Sequence, residues 1–195
     1  MSVKTDTILG SAGRAHRAWL ERDRQGDGRI DRNRVRLLSV ALAGQELAQI
    51  RLLKCELIEA VLRSARMQEA EFDTCTFKEC VFLSAKLDQA FIHQSSFQDC
   101  FMALSKGPGA QVHHSSFYHC DMERARWTDG RFVGVQIDGG KWSHADLSGS
   151  YFQDCIFRGV DWSQVKLDGA TLSNCDIAEL TLPAEHGAKL EGCKL

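Results

Sequence analysis

The sequence predicts a single elongated repeat domain of the solenoid type, and two columns of residues carry that prediction. From Leu37 to Leu182, 29 of the 30 residues at every fifth position are large and apolar, with Gly107 as the exception. Two positions earlier in each repeat, the 25 residues from Cys55 to Cys175 are all Ala, Cys, Ser, Gly or Val. A period of five matches neither the α-helix nor the flat β-strand. Because only 44% of the chain is hydrophobic, chance does not explain these columns.

The first predicted segment, residues 1–36, precedes the repeat. Apolar residues recur there at helical spacing: Ile8, Ala12, Ala15 and Trp19. This spacing predicts a short amphipathic helix around residues 11–22. We expect the helix to cap the first coil, because the end of a solenoid otherwise exposes a β edge.

A stretch that resembles an EF-hand calcium loop follows this helix. Its candidate ligands are Asp23, Gln25, Asp27 and Asp31. The twelfth position, where a glutamate would supply two oxygens, is Arg34, whose positive charge also repels a metal ion. We therefore favour a glycine-rich turn without metal over a calcium site, and we expect the protein to need no cofactor.

The eight cysteines follow the repeat and not a disulfide framework. Seven of them occupy the column of small residues: Cys55, Cys75, Cys80, Cys100, Cys120, Cys155 and Cys175. A free cysteine behaves as a small hydrophobic residue, which is what this column requires. No CxxC motif is present, so a zinc ribbon is disfavoured, and we expect reduced, buried thiols.

The repeated unit resembles the motif A(D/N)LXX of the pentapeptide repeat family, which residues 145–149 (ADLSG) match literally. The resemblance covers about three quarters of the chain. It implies an all-β solenoid, a right-handed quadrilateral β-helix in which five residues form one side and four sides form a coil. The second predicted segment, the repeat of residues 37–182, would then make about seven coils. The large and the small residue of each side would point inward.

Several features of the interior follow from this register. Residues 20 apart should stack: Phe77, Phe97, Phe117 and Phe157 on one side, and Trp142 and Trp162 on another. Gly107, with Pro108 and Gly109, interrupts the apolar column, and we expect one side of a coil to bow out there.

The third predicted segment, residues 183–195, is a register-shifted C-terminal end, in which the pattern restarts at Leu190. An open coil end is a β edge. We expect a second copy of the chain, as a homodimer, or another protein to cover it.

One outward surface is unusually apolar and is the candidate site for binding a protein partner. Its residues are Val61, Val81, Leu83, Phe101 and Leu104. Contiguous exposed apolar surface commonly marks an interface. The alternative is that the N-terminal segment folds back over this surface.

No arrangement of residues predicts catalysis. His93 and His113 should stack with His114 beside them, but no cysteine or carboxylate converges on them to complete a metal site. The cysteines point inward, so a Cys/His or Ser/His/Asp site is not credible. We expect a protein that is not an enzyme.

We favour the interpretation that the protein is a rigid rod, which binds a protein of unknown identity through its apolar face or its ends. The resemblance also allows a bacterial DNA mimic that binds a type II topoisomerase (gyrase), inhibiting it or protecting it from fluoroquinolones. Such a mimic would need on the order of 20 negative charges, whereas residues 37–182 carry 13 Lys/Arg against 19 Asp/Glu. The resemblance further allows an accessory or cargo role in a bacterial secretion system.

Charge and hydropathy set the remaining expectations. Residues 1–36 carry nine Lys/Arg against five Asp/Glu, so the two parts of the chain differ in sign, and neither direct nucleic acid binding nor membrane binding is favoured. No run of 18 apolar residues exists, and the first 15 residues lack the apolar core of a signal peptide. We expect a cytoplasmic protein, with export without a leader left open.

Overall fold

The computed structural model of the protein is a parallel β-solenoid of about eight turns. The structure describes residues 15, 16, 18, 20–22 and 29–195. Its strands are β1 Asp31–Asn33, β2 Arg36–Leu38, β3 Arg51–Leu53, β4 Glu56–Ile58, β5 Glu71–Asp73, β6 Thr76–Lys78, β7 Phe91–His93, β8 Ser96–Gln98, β9 Gln111–His113, β10 Ser116–Tyr118, β11 Arg131–Val133, β12 Gln136–Asp138, β13 Tyr151–Gln153, β14 Ile156–Arg158, β15 Val160–Asp161, β16 Thr171–Ser173, β17 Leu180–Thr181 and β18 Lys189–Glu191.

Each coil has four sides of five residues, which we call faces 1 to 4, beginning at residues 30, 35, 40 and 45 of the first coil. Face 1 is a nine-stranded parallel sheet that runs from β1 to β18, and face 2 is a seven-stranded parallel sheet from β2 to β14. Faces 3 and 4 are held mainly by single parallel bridges, with β15 and β17 pairing on face 3. Residues 20 apart are therefore neighbours over most of the solenoid, as the sequence period predicts.

The corners of the coil explain why the strands are only two or three residues long. The last residue of most sides has a positive φ, for example Ser64 (φ 54°) and Ser84 (φ 57°), which turns the chain out of the strand. On face 3 the amide of Ala65 donates to the carbonyl of Leu62 (3.0 Å), which closes a turn with its positive φ at the third position. Amides also donate to carbonyls of the next coil, as from Leu62 to Val81 (2.7 Å).

The two predicted columns fill the interior. The small residues and the large apolar residues of the repeat are buried along most of the rod. The ring of Phe97 stacks on Phe77 at 4.7 Å between centroids and on Phe117 at 5.0 Å. Trp142 and Trp162 also lie next to each other, with centroids 5.7 Å apart. The predicted aromatic ladders are confirmed for these neighbours.

The cysteines are free thiols, and seven of the eight are buried in the column of small residues, as predicted. The Sγ of Cys75, for example, donates to the carbonyls of Leu52 (3.3 Å) and Asp73 (3.4 Å). Burial raises the pKa of the Cys75 thiol to about 12. The Cys75 thiol is thus part of the core packing and is protonated at neutral pH.

The predicted outward bow at Gly107 is wrong. The amide of Gly107 donates to Arg126 O (2.9 Å) and its carbonyl accepts from the amide of Ala110 (3.1 Å), so the side keeps the regular backbone. The indole of Trp127, one coil further on, fills the space that the missing side chain leaves. A Cβ on Gly107 would lie 2.8 Å from Trp127 Cδ2, and Trp127 Nε1 donates to Ser105 Oγ (3.0 Å).

The N-terminal end differs from the prediction in two ways. The strands begin at Asp31, before the predicted limit of residue 37. The sequence pattern did not include this first strand, because its inward position, opposite Leu52, is occupied by Arg32 and not by an apolar residue. The predicted helical cap over residues 11–22 is not seen as a defined element. Part of that stretch lies outside the described residues. With Arg32 in place of an apolar inward residue, this end has less apolar surface for a helix to cover.

His16, within the predicted cap, is buried against the first coil. Its Nε2 lies 2.7 Å from the carbonyl oxygen of Ala48, and its Nδ1 accepts from the amide of Ile30 (3.0 Å). His16 belongs to a helical stretch of which residues 15, 16, 18, 20 and 21 are described, and these two polar contacts hold it against the first coil.

The C-terminal end returns to the solenoid register after a deletion. Leu172 pairs with Leu190, 18 residues further on instead of 20. β18 thus adds a ninth strand to face 1, and Asp176 forms a bridge with Lys194 on face 2. The two extra rungs at the ends account for about eight turns where the sequence predicts about seven.

Candidate functional site

The five residues predicted to bind a partner lie together on face 3, and we call them the apolar stripe: Val61, Val81, Leu83, Phe101 and Leu104. Parallel bridges join Val61 to Val81 and Val81 to Phe101, so these three side chains follow one another along the rod. Phe101 is 56% exposed and Val61 is 38% exposed, while Val81 is half-buried. The stripe is a continuous apolar surface in contact with solvent.

Leu104 owes its exposure to the corner of the coil. It has a φ of 58° and takes the turn position that has a positive φ in most coils on face 3, as at Ser84 and Arg124. Within residues 29–195 it is the only apolar residue other than glycine with a positive φ. Because the left-handed conformation disfavours residues other than glycine, asparagine and aspartate, local backbone preference does not select a leucine here. Its side chain points away from the core and is 47% exposed.

Four cations occupy one outward column of the adjoining face 4, and we call them the cation ladder: Arg66, Lys86, Lys106 and Arg126. Each is bridged to the next. Arg66 Nη1 lies 3.0 Å from Glu46 Oε2. In the part of the chain that the structure describes, the other three side chains make no ion pair. Sequence reasoning missed this ladder because it followed the inward columns, although the spacing of 20 between the four cations was visible.

The predicted histidine cluster forms on face 1 but does not make a metal site. His93 Nδ1 lies 3.2 Å from Asp73 Oδ1, and the rings of His93 and His114 are 6.2 Å apart. Phe91, which is 40% exposed, lies against His113 with ring centroids 5.7 Å apart. Among the described residues, no group of three or more His, Cys, Asp or Glu could hold a metal ion.

Protonation of His113 is expected to destabilise the fold. Burial lowers the pKa of His113 below its ordinary value of 6.5, and the charge of Arg131 acts in the same direction. The unfolded chain therefore binds the proton at a higher pH than the folded chain. The free energy of unfolding should fall as the pH drops from about 6.5 through the folded pKa, and level off below it. The fall should be smaller in His113→Gln, as measured by the Tm between about pH 7.5 and 5.

The matched control for this pH dependence is His144→Gln, which removes an exposed histidine from face 3. It should keep the full fall in Tm. If the Tm of His113→Gln falls with pH as much as that of the unchanged protein, the pH dependence does not come from His113.

The stretch that resembles a calcium loop is only partly described. Asp23, Gln25 and Asp27 lie outside the described residues. Asp31 is the first residue of β1, where its Oδ2 lies 3.7 Å from Arg51 Nη1. Arg34 follows at the corner with a φ of 55°. Asp31 is thus paired with a cation and takes part in the first sheet.

A polar groove of about 620 Å³ lies where face 4 meets face 1. Its lining residues are Arg29, Gln49, Glu69, Glu71, Gln89, Phe91, Gly109 and Gln111. The charged groups of this groove satisfy one another: Arg29 Nη2 donates to Glu71 Oε1 (2.9 Å), and Gln49 Nε2 donates to Glu69 Oε2 (2.6 Å). Among the described residues, Lys86, Lys106 and Arg126 of the cation ladder have no such ion-pair partner.

Comparison with known proteins gives the family. A family described as a pentapeptide repeat region matches residues 70–142, and one described as pentapeptide repeats in eight copies matches residues 145–179. The chain belongs to the pentapeptide repeat family. The two matches together cover more than half of the chain, and they include most of the apolar stripe and three members of the cation ladder.

Two solved structures are similar to this chain, and QnrB1 shares its fold. QnrB1, a plasmid-mediated fluoroquinolone resistance protein, is 17% identical, with a TM-score of 0.52 over 80% of this chain and 92% of its own. HetL of the cyanobacterium Nostoc sp. strain PCC 7120, involved in heterocyst differentiation regulation, is 16% identical, with a TM-score of 0.40 over 85% of this chain and 87% of its own. The comparison with curated protein sequences gave no match. None of the described helical segments has the length and hydropathy needed to span a membrane.

Proposed function

We propose that this pentapeptide repeat protein is a non-catalytic interaction module that binds a protein partner through the apolar stripe. The observation that carries the proposal is the contiguous exposure of Val61, Phe101 and Leu104 along face 3. Protein surfaces that bind partners commonly present such apolar patches beside polar groups. The large exposed Phe101 is the type of residue that anchors an interface.

The rigidity of the solenoid supports this role. The backbone under the stripe is fixed by hydrogen bonds between coils, as from the amide of Val81 to Ala60 O (2.8 Å) and from that of Phe101 to Cys80 O (2.9 Å). The inward neighbours Phe82 and Met102 are fully buried. Because such a surface loses little conformational entropy on binding, more of its contact energy is available for affinity.

Replacing Val81 and Phe101 together with aspartate is expected to abolish partner binding. Two carboxylates in the stripe would have to be desolvated without a partner charge. Stability should fall by about 1–2 kcal/mol, because both side chains are at least partly exposed but the two new carboxylates and Asp121 would lie in one column. The measurement is affinity capture from the source lysate with identification by mass spectrometry, alongside thermal unfolding of the purified variant.

The matched control is Ile156→Asp, which places a carboxylate at the equivalent outward position of face 2, where Ile156 is 37% exposed. This control should capture the same proteins as the unchanged chain. A set of captured proteins that is the same in the stripe variant and in the control would contradict the proposal.

The alternative of a DNA mimic for a type II topoisomerase has less support. The likeness to QnrB1 concerns the fold, and the outer surface mixes cations with acids: on face 4 alone, Lys86, Lys106 and Arg126 follow one another. A mimic of duplex DNA needs a dense negative surface. We therefore do not extend the activity of QnrB1 to this chain.

Two further expectations from the sequence stay predictions. β18 has one neighbour in the sheet of face 1, and Leu190 and Leu195 near it are exposed. A homodimer would form at this end, and sedimentation velocity of the purified protein measures it.

The buried free thiols are compatible with the proposed cytoplasmic location.

A further inference from the structure

The cation ladder is an unusual arrangement of charges for a parallel β-solenoid. Its members occupy the same outward position of four successive coils, joined by bridges from Arg66 to Lys86, from Lys86 to Lys106 and from Lys106 to Arg126. Neighbouring coils are separated by about 4.8 Å, so the ladder is about 14 Å long. Like charges that are directly opposite each other in neighbouring strands destabilise the sheet.

The fold provides little compensation for this repulsion. Elsewhere in the solenoid, cations are placed one coil away from acids, as in the pairs Arg36–Glu56 (2.7 Å) and Arg51–Glu71 (3.2 Å). On the ladder, the exposed side chains of Lys86, Lys106 and Arg126 have no carboxylate within ion-pair distance among the described residues. Three of the four cations of the ladder are therefore not neutralised within the described fold, while Arg66 is paired with Glu46.

The ladder runs beside the apolar stripe. In each coil the chain passes from the stripe on face 3 to the ladder on face 4, so Phe101 and Leu104 precede Lys106, and Val81 and Leu83 precede Lys86. Because residues 20 apart are in register on both faces, the apolar band and the cationic band extend side by side along the same coils. A ligand that covers one band is adjacent to the other.

We propose that the stripe and the ladder together bind an acidic segment of a protein partner, in which carboxylates lie beside apolar side chains. This rests on the proposed function and names the chemistry of the partner. Carboxylates facing Lys86, Lys106 and Arg126 would replace like-charge repulsion with attraction, while apolar side chains cover Phe101 and Leu104.

A nucleic acid fits this surface less well than an acidic peptide does. Face 4 also carries Asp88, Asp129 and Asp146 near the ladder. A phosphate backbone carries a negative charge at every nucleotide and would be repelled by these acids, whereas a peptide can place its carboxylates opposite the cations and uncharged residues opposite the acids. The ladder is about 14 Å long, which is the length of a short peptide segment that carries a few carboxylates.

The test uses the full chain and a fluorescent synthetic peptide of about ten residues, composed of glutamate and leucine in a two-to-one ratio. Fluorescence anisotropy is measured at low and at physiological salt. Binding should weaken at higher salt, because exposed charges are screened. A peptide with serine for leucine should bind more weakly, and one with lysine for glutamate should not bind.

The decisive variant is Lys86→Glu with Lys106→Glu, which should lower the affinity for the glutamate–leucine peptide by at least about tenfold. Its control is Lys54→Glu with Lys78→Glu, which changes the net charge equally but places the carboxylates on faces 1 and 2, away from the ladder. The control should retain affinity within about twofold. Without ligand, the ladder variant should have a higher Tm than the control at low salt, because each new glutamate would face one remaining cation, Arg66 or Arg126, and one like-charge neighbour pair would remain where the ladder now has three.

Three results would overturn the inference: no binding of the glutamate–leucine peptide, equal affinity in the ladder variant and its control, or tighter binding of a single-stranded DNA oligonucleotide than of the peptide. The proposed function is tested separately by protein capture. If the ladder variant captures the same proteins as the unchanged chain while the Val81→Asp, Phe101→Asp variant captures none, the stripe binds a partner that is not acidic. If both variants capture the same proteins, the proposed function fails as well.

Discussion

Replacing Phe97 with alanine is expected to lower the free energy of unfolding by about 3–5 kcal/mol. Phe97 is fully buried, and its ring stacks nearly parallel between Phe77 (interplanar angle 10°) and Phe117 (6°). Truncation removes both ring contacts and leaves a cavity in the middle of the rod. A solenoid coil packs only on its two neighbours, so no other element can move in to fill the cavity. Urea denaturation followed by circular dichroism measures the loss.

The control is Phe91→Ala, which removes the same side chain from the outside of face 1. Phe91 is 40% exposed, so its loss should lower the free energy of unfolding by about 1 kcal/mol or less. Similar losses for the two variants would show that Phe97 does not lie in the interior, and the register of the whole repeat would then be wrong.

The interior was largely predictable from sequence because it is dictated by packing. A square coil leaves room for one large and one small inward residue per side, and any exchange between the two columns would overpack or empty the core. That Phe77 lies next to Phe97, and Trp142 next to Trp162, followed from these columns together with the four-sided coil that the resemblance to pentapeptide repeats implies. The ends were less predictable, because Arg32 and the 18-residue spacing between Leu172 and Leu190 depart from the period.

The outer surface was only partly predictable, because exposed positions are not constrained by packing. The apolar stripe could be found because exposed Val81 and Phe101 violate the usual preference for polar side chains at outward positions. Each member of the cation ladder, taken alone, follows the preference for polar side chains at outward positions, since Lys86 and Lys106 are ordinary surface residues. Its unusual property is the register between coils, which becomes visible only when outward columns are compared at a spacing of 20.

Gly107 shows the same limitation inside the core. The sequence identified Gly107 correctly as the exception in the apolar column. It could not show which neighbouring side chain would fill the space that the missing side chain leaves. Trp127 lies 20 residues further on in the same column, and its indole lies 2.8 Å from the position that a Cβ on Gly107 would take. Gly107 and Trp127 share one space in the core. This side of the coil therefore remains flat, although the missing side chain had suggested an outward bow.

Replacing Gly107 with leucine is therefore expected to destabilise the protein by about 3 kcal/mol or more. A Cβ at this position would lie 2.8 Å from Cδ2 and 2.9 Å from Cε2 of Trp127. These are atoms of a rigid ring that is 1% exposed, so the ring has no free space into which it can move. The measurement is again urea denaturation, with Gly169→Leu as control, because a Cβ on Gly169 would meet no atom within 4 Å. The control carries only the backbone strain of its positive φ of 69°.

Trp127→Leu alone should also destabilise the protein, by about 2–4 kcal/mol, because it opens a cavity below Gly107 and removes the hydrogen bond from Nε1 to Ser105. Combined with Gly107→Leu, it would restore one leucine per layer, as at Leu87 and Leu147 in the same column. The double variant should then be more stable than either single variant, with a coupling of at least about 2 kcal/mol in a double-mutant cycle. Additive losses would mean that the two side chains do not share a volume. A favourable coupling would establish that the apparent gap in the repeat is the space for a tryptophan from the next coil.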